Sequence, residues 1–162
     1  MKKILALILV ALCLFMLSAC GNKADNDDKT EVYTFYGEND YVTVTNGTAV
    51  VGGEEETFSG GRLEVIKEKA FADAMYWSAE FYIAKDGEKK TLYKSVVEDL
   101  SDSAKVSISG DLGKISGADV ISDYESSDMD AFVNNLFMLF TVRNAEGEEK
   151  TYEIHMNVEK VC

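Results

Sequence analysis

The sequence predicts a mainly β protein: an antiparallel β-sandwich or partly open barrel carrying one short helix. Three observations predict it. Short runs of β-branched and aromatic residues alternate in polarity, glycine-containing turns separate them, and one stretch near Asp128 has helical spacing. An immunoglobulin-like outline is one form such a sandwich takes, although the Cys…Trp…Cys spacing of antibody-type domains is missing.

The folded part is expected over residues 32–162 as a single domain. Residues 32–36 are mostly β-branched or aromatic and read as the first strand. Residues 41–45 and 48–51 read as a hairpin around Asn46-Gly47, because a type I′ turn needs two positive φ angles and Asn-Gly supplies them. Gly52-Gly53 punctuates the next turn, and Glu54-Glu55-Glu56 reads as a charged turn. Residues 55–59 and 62–67 then read as a pair of strands around Gly60-Gly61, and 67–73 as a short helical turn.

Residues 74–84 are the best core candidate. A period of two places Trp77, Phe81 and Ile83 on one face, and Tyr76, Ser78, Glu80 and Tyr82 on the other. Asp86-Gly87 turns the chain into a strand over 89–94. A further strand is expected over 105–109, with turns at Gly110, Gly113 and Gly117. Phe132, Val133, Leu136 and Leu139 recur at helical spacing, so a helix capped by Asp128 is expected to about Leu136, passing into a strand. Residues 137–143 and 150–158 form the last pair, around Asn144-Ala145-Glu146-Gly147.

The beginning of the chain has a different character. Lys2 and Lys3 precede an uncharged apolar stretch over 4–17, then Ser18, Ala19 and Cys20. A basic start, a short apolar run and a small-residue exit form a secretory signal, and the run is too short for an ordinary membrane-spanning helix. The exit Leu17-Ser18-Ala19-Cys20-Gly21 resembles the bacterial lipobox. That resemblance implies a diacylglyceryl group on the Cys20 thiol, cleavage of residues 1–19, and anchoring to a membrane through Cys20. With Gly21 rather than Asp after the cysteine, it implies the outer membrane in a host that has two. Residues 20–31 hold few apolar side chains and read as a lipidated flexible tether.

Removal of 1–19 leaves 143 of the 162 residues, with 14 basic against 29 acidic side chains, net −15. Nucleic acid calls for clustered Lys and Arg, so this balance excludes it as a partner. Of three cysteines, Cys13 leaves with the signal and Cys20 is lipidated. Cys162 is left without an intramolecular partner, either free or paired between chains.

No catalytic residue, cofactor site or metal site is assigned. His155, the only histidine, is expected to point outward on the last strand beside Glu153 and Asn157. A nucleophile elbow of the Gly-x-Ser-x-Gly kind and a phosphate-cradling glycine motif are absent from the sequence. The segment 123–130 places Asp123, Glu125, Asp128 and Asp130 within eight residues, which raises a weak cation site against a solvated loop leading into a helix cap. Tyr33, Tyr36, Tyr41, Tyr76 and Tyr82 are candidates to present rings on a sheet face, a placement that suits tyrosine at interfaces.

Tyr36-Gly37-Glu38-Asn39-Asp40-Tyr41, together with a final hairpin over 140–154, resembles a group of uncharacterised small lipoproteins of Gram-positive bacteria. The resemblance implies a β-rich domain and transfers no functional residue. The expectation is therefore a non-enzymatic, lipid-anchored module at the cell envelope, binding a protein, envelope component or small ligand through a sheet face. The alternative is a hydrolase of envelope polymer acting through acids such as Glu125 and Asp128.

Overall fold

The structure is a computed structural model describing residues 30–52, 54–98, 106–118, 120–121 and 126–162, with side chains from residue 129 in the last range. The expected signal peptide (1–19), Cys20 and most of the expected tether (20–31) lie outside the described residues. Among the described residues, eleven strands form two antiparallel sheets packed as a sandwich. The first sheet contains β1 (Glu31–Glu38), β2 (Val42–Val51), β3 (Glu56–Ser59), β4 (Arg62–Val65), β7 (Gly110–Asp111), β8 (Lys114–Gly117) and β11 (Asn157–Lys160). The second is ordered β10–β9–β5–β6, from β5 (Ala74–Lys85), β6 (Glu88–Glu98), β9 (Leu136–Asn144) and β10 (Glu149–His155). Helix α1 (Ser126–Asn135) runs straight into β9.

Period-two alternation builds the interior. Tyr33, Phe35 and Gly37 of β1 face inward, as do Trp77, Ala79, Phe81 and Ile83 of β5, while Thr34, Tyr36 and Glu38 face outward. At the centre, Phe35 stacks on Phe58 at 5.2 Å between ring centroids, and Phe81 meets both rings edge-on. Buried aromatics of this size dominate core energetics, and edge-to-face pairing suits their quadrupoles.

The strand expected from residues 32–36 begins one residue earlier, at Glu31, whose carboxylate accepts from Tyr33 and pairs with Lys160. Asp86-Gly87 closes β5 to β6 with positive φ at both residues, as a type I′ turn requires. Asn46-Gly47 does something else. Strand β2 runs through it without turning back, and between the pairs Phe35–Gly47 and Gly37–Val44 two residues of β2 face Tyr36 alone. This is a β-bulge, with Asn46 in the left-handed region at φ 58°.

Nor do β3 and β4 pair with each other. They lie end to end along β2, β3 beside Thr48 to Val50 and β4 beside Val42 to Thr45, broken at Gly60-Gly61 beside the bulge. Strands β8 and β7 repeat the break at Leu112-Gly113, where Gly60 N–H donates to Gly113 and Leu112 N–H to Gly61. The irregularities of three neighbouring strands thus line up across the first sheet.

Other expectations shift. Residues 106–109 are not a strand; they lie along the start of β5, where Val106 N–H donates to the Ala74 carbonyl and the Ser107 carbonyl accepts from Trp77 Nε1 at 3.0 Å. Asp128 stands inside the first turn of α1, because the helix starts two residues earlier, at Ser126. Glu56 is not a turn residue but opens β3 fully buried, with its carboxylate accepting from the N–H groups of Gly52 and Ile121. The last strand also breaks at Met156, leaving the second sheet to pair with β1 as β11. A strand that changes sheets forms a corner of the sandwich. No helix of the described residues is long and apolar enough to cross a membrane.

Candidate functional site

Of the five tyrosines expected to present rings, the tertiary structure withdraws four. Tyr33 and Tyr82 are buried, and Tyr41 and Tyr76 are half-buried. Tyr41 packs on Tyr152 at 4.7 Å and has the Lys67 ammonium 4.8 Å from its ring centroid, and Tyr76 lies under the Arg143 guanidinium. Tyr36 alone of the five is exposed, at 51%. Its hydroxyl makes no hydrogen bond among the described residues.

Register builds the surroundings of Tyr36. Asn157 of β11 is its partner on one side, and the bulge residues Thr45 and Asn46 face it on the other. One step along β1, Thr34, Thr48 and Ser59 form a row across three strands. The next row holds Val32, Val50 and Thr57, with Thr57 bonded to Ser116 at 2.9 Å. The hydroxyls of Thr34, Thr45, Thr48 and Ser59 make no side-chain hydrogen bond among the described residues. Charges stand around this area rather than in it: Glu159 and Lys114 at its two edges, Glu38 above, and Arg62 paired with Glu64 at 3.1 Å.

The outer face of the second sheet is the opposite case, because its side chains already bind one another. Tyr82 donates to Glu153 at 2.6 Å, stacks on Phe137 at 5.5 Å, and lies under the Lys89 ammonium at 4.4 Å. Glu80 takes Lys89 at 2.8 Å, Thr91 at 2.7 Å and Lys94 at 3.8 Å. The hydrogen bond from Lys89 leads in holding the Glu80 carboxyl below the usual range, and outweighs its desolvation. Burial, then the bond to Glu153, pushes the Tyr82 phenol up. Such a network locks four strands together and leaves few groups for a ligand.

His155 is outward beside Glu153, as the alternation predicts, and its Nε2 donates to the Asn134 carbonyl at 2.9 Å. That carbonyl belongs to the last turn of α1, where carbonyls lack helical partners. Phe137 meets the imidazole edge-on at 4.9 Å. Asp123, Glu125 and the Asp128 side chain lie outside the described residues, while Asp130 is exposed on α1. Among the described residues, no three His, Cys, Asp or Glu side chains converge to hold a metal ion. Cys162 is exposed, and its backbone pairs with Val32.

Three depressions border the 3₁₀ turn Glu68–Phe71. The largest, about 740 Å³, is bounded by six consecutive residues from Val65 to Ala70, so it is an open bay rather than a binding cavity. The smallest, between Phe71 and Tyr152, measures about 40 Å³, too small for an organic ligand. Burial and then the neighbouring Tyr41 push the Tyr152 phenol up there.

Sequence reasoning missed the hydroxyl row. Its signal is scattered, Thr34 in β1, Thr45 and Thr48 in β2, and Thr57 and Ser59 in β3, and only the strand register assembles these into a surface. No protein-family model, curated protein or solved structure matches the chain.

Proposed function

We propose that this chain is a lipid-anchored extracytoplasmic interaction module, held to a membrane through Cys20 and binding a component of the cell envelope through the outer face of its first sheet. The observation that carries the binding half is the contrast between the two outer faces. The middle of one is crossed by its own ion pairs and hydrogen bonds, whereas the other offers an exposed Tyr36 and four unengaged hydroxyls. Unengaged polar groups on a rigid strand lattice lose little rotamer freedom when a ligand orders them.

The anchoring half rests on the lipobox and on distance. Strand β1 starts eleven positions after Cys20, and an extended chain of that length reaches roughly 35 Å, enough to clear lipid headgroups. Two acyl chains make anchoring stable where a single one is marginal.

Two measurements test this function. Cells grown with a radiolabelled fatty acid should yield a labelled protein lacking residues 1–19, and the label should vanish in Cys20→Ala. Affinity capture from solubilised envelope should recover a component with the wild-type chain and lose it with Tyr36→Ala. Unlabelled protein removes the anchor, and identical capture by both chains removes the face.

A further inference from the structure

We infer that the ligand of the first sheet's outer face is a neutral, polyhydroxylated glycan strand, with Tyr36 as its stacking platform. This rests on the interaction-module reading and names the chemical class of the partner.

Charge argues first. The chain carries 29 acidic against 16 basic residues, yet the cross-strand neighbours of Tyr36 (Asn157, Thr45 and Asn46) and the adjacent row Thr34, Thr48 and Ser59 are not ionisable. Glu38, the next outward residue of β1, and Arg62, Glu159 and Lys114 ring them. A polyanion is repelled by the overall charge. A basic peptide would settle on carboxylates, which stand at the rim of this area and not in its middle. An uncharged ligand is the one whose complement is an uncharged centre.

Hydrogen-bonding chemistry argues next. A sugar ring presents an apolar C–H face and a belt of hydroxyls that both donate and accept. Tyr36 supplies an apolar ring with a polar tip, and the neighbouring amides and hydroxyls likewise donate and accept. Threonine side chains are β-branched and stiff at χ1, so the row is preorganised.

Shape argues for a chain rather than a single sugar. The row Thr34–Thr48–Ser59 steps across adjacent strands at about 4.8 Å each and runs from Glu159 on one side to Lys114 on the other. A pocket would enclose a monosaccharide; an open row of repeating contacts suits a repeating polymer, in which each weak contact adds to the next.

The test uses the full chain purified in detergent micelles, titrated calorimetrically with cellohexaose, chitohexaose, poly-glutamate and poly-lysine. One neutral hexasaccharide should bind, and neither polyion should. Tyr36→Ala should weaken that binding about tenfold, the size of one aromatic contact, while Tyr36→Phe retains most of it. Thr48→Val should weaken it several-fold with an unchanged thermal midpoint, and Lys94→Met on the other sheet should leave it unaltered. Binding of poly-lysine instead of either sugar overturns the inference, as does equal sugar binding by wild type and Tyr36→Ala. The two readings fail separately. If envelope capture depends on Tyr36 while neither sugar binds, the glycan is wrong and the module stands.

Discussion

The ring of Phe35 fills the space that a side chain on Gly47 would need: a Cβ built there falls 2.1 Å from the ring. Glycine at 47 is thus required by close packing at the bulge, whereas its neighbour Asn46 takes the positive φ. Gly47→Ala should destabilise the fold by about 1–3 kcal/mol, the usual cost of overpacking. Asn46→Val should cost about 1–2 kcal/mol through the left-handed backbone, and Asn46→Gly much less. Urea midpoints of the three variants check the assignment; equal losses at Asn46→Val and Asn46→Gly would speak against the bulge.

Glu56 ties two separate segments to the start of β3, at 3.1 Å to Gly52 N and 2.7 Å to Ile121 N. Glu56→Ala strands those donors, and a buried donor without an acceptor costs about 1–3 kcal/mol. Amide hydrogen exchange should accelerate at Gly52 and Ile121 before it does so in β5. Uniform acceleration over the whole chain would show that the carboxylate is no local tie.

Trp77 is the only tryptophan and is buried, with its ring nitrogen bonded to Ser107. Its fluorescence should be blue-shifted in the native protein and move red in one transition on unfolding. Trp77→Phe keeps the aromatic body but leaves the Ser107 carbonyl without that donor, and should cost about 1–3 kcal/mol by circular dichroism in urea. Emission at the solvent-exposed wavelength in the native state would contradict the packing.

Stability should fall at both extremes of pH for different reasons. The Tyr33 phenol is pushed up to about 12, by burial first, then by the hydrogen bond and charge of Glu31 and the charge of Asp130. Between about 10, the unfolded value, and 12 the native chain keeps a proton that the unfolded chain has lost. That contribution is complete below the window and disappears as pH rises through it. Tyr33→Phe should flatten this alkaline limb. Glu80 is shifted the other way, so its contribution is present above the ordinary carboxylate range and is lost as pH falls through its lowered value. Lys89→Met should weaken that acid limb. Denaturation midpoints across pH decide both, and an unchanged alkaline slope in Tyr33→Phe would reject the first.

Much of the architecture could be read from local pattern. The inward set Trp77, Phe81 and Ile83, the Asp86-Gly87 turn, the last hairpin and the passage from helix to strand near Leu136 all follow from short-range rules. Asn46-Gly47 shows where such rules stop. The pair announces a positive φ, and a turn and a bulge both use one; here only Asn46 adopts it, because β1 on one side and β3 with β4 on the other keep β2 one continuous strand. Glu56 is similar: its acidic neighbours suggest solvent, but the N–H of Ile121, sixty-five residues away, keeps it inside.

From the order of residues alone came the strand-rich class, the alternation that decides which side chains are buried, and the expectation of an anchor at Cys20. These are local properties, set by side-chain volume, polarity and backbone freedom over a few positions. The folded structure alone decided that Tyr36, and not Tyr33 or Tyr82, meets solvent, and that Thr34, Thr48 and Ser59 stand in one row. Those facts depend on register between strands distant in sequence, and register is settled by how two whole sheets pack.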